Sequence, residues 1–317
     1  MKALVFIQTE EGKILRSCIE TICGLQKMLT NDDSIDTIFF DSSIQSELEK
    51  YAIRTNYLIN NVNKFNPLQY TLIMEHIVNE MKPDIIAFSH TYQARDWVPR
   101  LSAKLDIPFV SDCIDISKNT NGILLTKQMY QGKINADIAA SGPVIVSFQS
   151  GAFRADEAVE GNSSSTNKTI DLNMTDNTIR PLDKFKESKG DVDLSSAEVI
   201  VSVGRGISKE ENMYLIEELS KSLSAEIVSS RPVVDYGWLP HERQVGSSGQ
   251  VVSPKLYLAV GISGAIQHQV GMKGADNIIA INKDPKAPIF EIADYGIVGD
   301  LFEIVPKLTE LIKNHQS

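Results

Sequence analysis

The chain has 317 residues, of which 42% are apolar, and carries a formal net charge of −10. That length accommodates two domains, each able to bury its own core, and the acidic balance argues against a broad nucleic-acid surface, which needs clustered Lys and Arg. No apolar run reaches the ~20 residues a bilayer span requires, and the opening "MKALVFIQTEEG" has neither signal-peptide nor presequence pattern, so no membrane insertion and a prokaryotic cytoplasmic setting are expected.

In chain order, residues 3–7 read as a buried strand and 14–29 as a helix with apolar residues three and four apart. "IDTIFF" (35–40) is a second strand, and 67–81 a helix with Pro in its first turn. "PDIIAFS" (83–89) is a third strand, and 96–105 a helix. This alternation implies parallel βαβ units. From 113 to 148 strand follows strand ("CIDISK", "ILLTKQMY", "INADIAA", "PVIVSFQ"), which is expected as an antiparallel annex on the sheet edge. Residues 161–179, rich in Asn, Ser, Thr and Asp, read as a long excursion or linker. The domain boundary falls near 190–195, giving domains 1–190 and 191–317. A second α/β pattern follows: strand and turn at 197–206, an amphipathic stretch at 210–223, the strands "AEIVSS", "KLYLAVG" and "NIIAIN" (277–282), and a closing helix at 301–313.

Cys18, Cys23 and Cys113 make no CxxC or zinc spacing and read as reduced and structural. The five histidines (His76, His90, His241, His268, His315) form no metal pattern, so no metal site is expected. No partnered Ser-His-Asp arrangement can be inferred, so no catalytic residue is assigned.

Chemistry concentrates in the loops of the second domain. "SVGRG", "SSRPVVD", "QVGSSGQ", "GISGAIQH" and "INKD" are polar, mostly Gly-bearing turns after strands, and in an open parallel sheet such turns gather at the carboxyl ends, where ligands bind. Gly204-Arg205-Gly206 is half a dinucleotide fingerprint, often only a tight turn. Arg231 sits at a strand end before a stiffening Pro, and is either an exposed loop charge or a ligand contact. Gly246 and Gly249 bracket Ser247 and Ser248, as either a hairpin tip or a ligand-approaching loop. In "GISGAIQH", Ser263 is a natural N-cap, and the helix start it introduces would suit a phosphate. A lone His at position 268 is more often packed or solvated than catalytic.

"LYLAVGISGAIQHQVGMKGADNIIAINKDPKAPIFEIADYGIVGDL", with "SRPVVDYGWLP" and "QVGSSG" upstream and "RDWVPRLSAKLDIPFVSD" (95–112) in the first half, closely resembles the electron transfer flavoprotein alpha subunit. The resemblance implies an α/β fold of two domains: an N-terminal parallel-sheet, nucleotide-hydrolase-like domain with an antiparallel annex that docks a beta subunit, and a C-terminal Rossmann-like FAD-binding domain. It implies one FAD in this subunit, with AMP or a second FAD in the beta subunit, and a heterodimer that carries electrons through a semiquinone. The donors would be acyl-CoA or other dehydrogenases, and the acceptor a quinone oxidoreductase or ferredoxin. Such a chain is a carrier without a substrate of its own; a self-sufficient flavin or nicotinamide oxidoreductase and a non-redox nucleotide module are the rival readings.

By the same resemblance, Arg231 lies beside the isoalloxazine, Ser248 donates to N5 and His268 sits at the C2 carbonyl. Gln244 and Gln267 lie around the ring and ribityl chain, Ser230 and Ser263 near the pyrophosphate, and Asn282 and Asp300 towards the adenosine. Gly246, Gly249, Gly261 and Gly264 shape the backbone, and Arg205, Val245, Ile262, Ala265 and Leu301 complete the cofactor-binding set. A cationic or proton-donating His268 and Arg231 would stabilise negative charge on the reduced ring. Many members carry Gln-Thr where this chain has Ser247–Ser248, a departure that resembles the nitrogen-fixation-associated and electron-bifurcating branch. Arg95, Asp96 and Arg100 are expected to be structural or interfacial.

Overall fold

The computed structural model describes residues 1–316 except 31, 63, 121, 131, 173–177, 180, 183–193, 195 and 196. Contacts divide the chain into two compact units, Met1–Phe185 and Lys186–Ser317. The boundary expected near 190–195 lies, Leu194 apart, outside the described residues.

The first unit runs β1 (Lys2–Phe6), a hairpin of β2 (Thr9–Glu10) and β3 (Lys13–Ile14), α1 (Arg16–Met28), β4 (Ser34–Phe39), α2 (Gln45–Leu48), β5 (Thr55–Ile59) and α3 (Pro67–Met81). It continues with β6 (Ile85–Ser89), α4 (Tyr92–Leu105), β7 (Phe109–Asn119), β8 (Gly122–Met129), β9 (Ile134–Ala140), β10 (Val144–Phe148) and β11 (Ser164–Lys168). The sheet order is β11-β5-β4-β1-β6-β10-β7-β8-β9. Pairing is parallel from β11 to β7 and antiparallel across β7-β8-β9.

The first sheet differs from the expected arrangement in several places. "PVIVSFQ" is not part of the annex: β10 lies in the parallel sheet between β6 and β7. Its five core residues are all buried, as a strand covered on both faces must be. The annex is the outer half of β7 with β8 and β9. The polar segment 161–179 is not wholly an excursion, because Ser164–Lys168 forms the edge strand β11 against β5; backbone pairing there needs no apolar side chains. Helix α1 starts at Arg16 because Ile14 is held in the hairpin with Thr9. Helix α4 starts before position 96, where the Thr91 hydroxyl accepts from the Ala94 N–H. Helix α3 begins as expected, with Pro67 in its first turn and the Asn66 carboxamide accepting from Leu68 and Gln69.

Alternating strand residues feed two cores. Val5, Ala87 and Val146 pack with α1 on one face, and Leu4, Ile86 and Ile145 with α3 and α4 on the other. The three cysteines are buried free thiols; burial pushes Cys18 up to about 11 and Cys113 to about 12.

The second unit runs β12 (Val199–Val203), α5 (Met213–Leu223), β13 (Glu226–Ser229), α6 (Arg231–Asp235), β14 (Leu256–Val260), α7 (Ile266–Gln269), β15 (Ile278–Asn282), β16 (Tyr295–Val298) and α8 (Leu301–Gln316). The sheet is parallel throughout, in the order β13-β12-β14-β15-β16. Val201, Val203, Leu258, Val260 and Ile281 pack beneath α5 and α8. Ile200, Tyr257, Ala259, Ile278 and Ala280 pack on the opposite face with Val245, Ile262, Met272 and Ile289. Numbered within the unit, the strand order is 2-1-3-4-5, which reverses direction between β12 and β14. A crevice at that switch point is where doubly wound sheets bind ligands.

Candidate functional site

The strand ends line up in register. Val203 is level with Ser229 and Val260, Val260 with Ile281, and Asn282 with Val298. The turns that follow therefore share one edge of the sheet: Gly204–Gly206 after β12, Ser230–Arg231 after β13, Gly261–Ala265 after β14 and Gly299–Leu301 after β16.

At the switch point two turns interlock through their backbones. Gly204 N–H donates to Val260 O (2.9 Å) and Gly206 N–H to Gly261 O (3.0 Å). A Cβ on Gly204 would stand 2.2 Å from the Gly261 carbonyl oxygen. The glycines here serve contact between the two turns. Beyond them, the N–H groups of Ile262, Ser263, Gly264 and Ala265 donate to no protein acceptor among the described residues. Unpaired backbone donors of this kind are a resource for an anion.

Ser263 is not the N-cap expected. Its carbonyl accepts from Ile289 N–H (3.0 Å) and Gly264 turns the chain at φ 83°. The helix consequently begins after Ala265, and no side chain caps it. Helix α7 has four residues, too few for a substantial macrodipole. The unpaired donors nearest the helix start are the N–H groups of the turn.

The loop 244–250 packs against α7. Ser247 N–H donates to Gln267 O (2.7 Å), Gln250 N–H to Gln244 O (2.7 Å) and Gly249 N–H to Gly246 O (3.0 Å). Gly246 adopts φ 141°, and a Cβ there would meet Gln267 O at 2.7 Å. Val245 N–H donates to Ser229 O (3.0 Å), fastening the loop to the end of β13. The buried Gln244 donates from Nε2 to Ser248 Oγ (2.9 Å), which occupies a lone pair of the exposed hydroxyl and leaves its proton for an outside acceptor.

Of the residues anticipated from the sequence, Arg205, Arg231, Ser248, Ser263, Ala265, Gln267 and Asp300 are exposed. Arg231 opens α6, where a loop was expected, and its Nε is 3.4 Å from Asp235 on the same helix. Ser230, Val245, Ile262, Gly264 and Leu301 are buried beneath these turns. Asn282 binds the protein itself: its Nδ2 donates to Ile262 O (2.8 Å) and its Oδ1 accepts from Asp284 N–H. The Asp300 carboxylate accepts from Phe302 N–H at the start of α8.

His268 is buried, 6% exposed. Its Nδ1 lies 3.1 Å from Val245 O and its Nε2 3.0 Å from the Tyr257 hydroxyl. Burial, only partly offset by the Val245 carbonyl, pushes its pKa down to about 4. The imidazole is therefore neutral near pH 7, unlike the cationic form weighed above. Tyr257 was missed in the sequence, where it read as one more apolar strand residue.

This depressed pKa has a measurable sign. The unfolded chain binds a proton near 6.5 that the folded chain refuses until about 4. Stability is thus full above pH 6.5, falls as pH drops towards 4, and levels off below, a total loss of about 3 kcal/mol. Urea midpoints at pH 7.5, 6 and 4.5 should show the decline in the second unit, and His268→Gln should flatten it.

The donor set fits a flavin nucleotide: open backbone N–H groups for phosphate, two guanidinium groups, and a hydroxyl primed to donate. Comparisons with known proteins agree. The electron transfer flavoprotein FAD-binding domain matches residues 193–273, and the electron transfer flavoprotein domain matches residues 41–173. The chain is 34% identical to the electron transfer flavoprotein subunit alpha of Bacillus subtilis (strain 168), over 98% of this chain and 97% of that one. It is 33% identical to the acryloyl-CoA reductase electron transfer subunit beta of Anaerotignum propionicum, over 98% of this chain and 95% of that one. It is 37% identical to protein FixB of Azotobacter vinelandii, over 77% of this chain and 69% of that one.

Proposed function

Because the chain belongs to the electron transfer flavoprotein alpha-subunit family, with an FAD-binding domain in its second unit, we propose that FAD lies along the carboxyl edge of β12–β16 and that the anticipated residues hold it there. The observation that carries this reading is the convergence of open backbone donors, Arg205, Arg231 and the Gln244-primed Ser248 on one sheet edge. FAD bound there supplies a one-electron carrier. The protein's part is to bind and orient it. Open N–H groups at 262–265 receive phosphate, the Ser248 hydroxyl offers its proton to a ring acceptor, and Arg231 places a fixed positive charge at the mouth of the site. Gln244 and Val245 fix the loop that carries Ser248.

Family membership brings a beta subunit as partner, and the first unit is the part assigned to docking it. Among the described residues no helix is long and apolar enough to cross a membrane; a cytoplasmic setting is part of the proposal. The resemblance extends the proposal to acyl-CoA or other dehydrogenases as electron source and a quinone oxidoreductase or ferredoxin as acceptor. Ser247–Ser248 in place of Gln-Thr extends the proposal to the nitrogen-fixation-associated and bifurcating branch, and a FixB protein is among the similar chains. A self-contained oxidoreductase has no support in these matches.

The test is to co-express the chain with its beta subunit and count nucleotides per heterodimer. One FAD retained by the alpha chain is expected in every case. A second FAD would place the pair in the bifurcating branch, and AMP in its stead among simple carriers. A colourless heterodimer that stays colourless in added FAD would refute the assignment.

A further inference from the structure

Arg205 and Arg231 occupy matching places on the edge of the second sheet. Val203 and Ser229 are level across β12 and β13, and each arginine stands two residues beyond its strand's end. Their electrostatic surroundings differ. Arg205 has no ion-pair partner among the described residues, whereas Arg231 Nε lies 3.4 Å from Asp235 Oδ2. Arg231 and Asp235 are the charged residues of α6 and share one of its faces, opposite the buried Val233. Local stability does not account for the pair. Its side chains are 70% and 59% exposed, where an ion pair adds little, and a base four residues before an acid is the weaker order on a helix. The helix itself is fixed, by Val233 in the core and by Ser230 N–H on Val203 O (3.1 Å). The guanidinium can therefore change partner on its flexible stem while the backbone stays in place.

We propose that Asp235 is a positioning residue for the Arg231 charge: in the oxidised protein its carboxylate draws the guanidinium along α6, and reduction of the bound flavin draws it off towards the ring. The proposal rests on the flavin reading given above. An electron delivered by the donor without a proton leaves the ring one unit more negative. No bond in the protein forms or breaks; an always-protonated guanidinium exchanges one anion for another. Arg231 then favours the reduced ring only by the difference between its two partners. The carboxylate thus sets how much of the arginine's charge the ring receives, and it keeps the flavin potential below that of a site with Arg231 alone. Arg205, with no acid beside it, has no such exchange to make.

The experiment measures the flavin potential for the first electron in the heterodimer at low salt, where screening leaves exposed charges most of their effect. Asp235→Asn should make uptake of that electron about threefold more favourable, a rise of about 28 mV at 59 mV per tenfold. Asp235→Glu, which keeps a carboxylate within reach of the guanidinium, should stay at the wild-type potential. In an Arg231→Gln background, Asp235→Asn should produce no such rise. An unchanged potential in Asp235→Asn would overturn the proposal, as would a rise in Asp235→Glu equal to that in Asp235→Asn. So would the same rise in the Arg231→Gln background, which would make the carboxylate a bare charge acting on the ring directly. FAD content is counted first. A heterodimer that holds FAD and fails these comparisons sinks this proposal alone, and one that holds none sinks the flavin reading with it.

Discussion

Gly204→Ala should release FAD, raising its dissociation constant at least tenfold, while costing the second unit about 1–3 kcal/mol through overpacking. The backbone conformation is not the obstacle, since Gly204 sits at φ −107°, open to any residue. The obstacle is space: the new methyl would stand 2.2 Å from Gly261 O and 2.7 Å from Ile262 Cα, both backbone atoms. Relief requires the β12 and β14 turns to part, which breaks the Gly204–Val260 and Gly206–Gly261 hydrogen bonds and shifts the open N–H groups just beyond them. FAD titration of the variant heterodimer measures the first effect, and urea unfolding of the second unit the second. Affinity equal to wild type would show that the interlocked turns are not part of the binding surface.

The largest stability effect is expected in the other unit. Trp97 is completely buried in α4, and Phe6, Tyr70 and Phe88 surround it at ring-centroid distances of 5.2, 5.5 and 5.2 Å. These rings come from β1, α3 and β6, so Trp97 ties both helices to the centre of the sheet. Trp97→Ala leaves a cavity that three elements would have to collapse together, at a cost of about 3–5 kcal/mol. Denaturant unfolding should show the first unit's transition moving to lower urea, with bound FAD unchanged in the population that remains folded. A loss below 1 kcal/mol would mean that the cluster repacks.

The β–α alternation was legible because buried strands and amphipathic helices write different periods into the chain. Strand order was not. The apolar run at 144–148 has the same pattern at the centre of a sheet as at the end of a meander, and only its pairing with β6 and β7 separates the two. Polar β11 was invisible because an edge strand can be held by backbone bonds alone. The candidate loops were found through their glycines, yet the reason for Gly204 emerged only with Gly261 beside it. Ser263 misled because its sequence context suits a cap, whereas the Ile289 N–H and the turn at Gly264 push the helix start two residues on. Tyr257 could not be tied to His268 from spacing. Eleven residues separate them, on a strand and a different helix, and the third member, Val245, takes part through its carbonyl.

The wholly parallel sheet of the second unit has a consequence for how the holoprotein is made. Each of its neighbouring strands is joined through a crossover, so every pairing is non-local and is formed late relative to its helices. The turns after β12, β13, β14 and β16 meet only once the last strand has docked. No nascent fragment ending before β16 presents the full edge, and cofactor loading becomes a report of completed folding. By mass action, FAD at a hundred times its dissociation constant then adds about 2.7 kcal/mol to the finished unit and nothing to its precursors. Cells short of flavin should accordingly accumulate this chain in a form that proteases open from the second unit first.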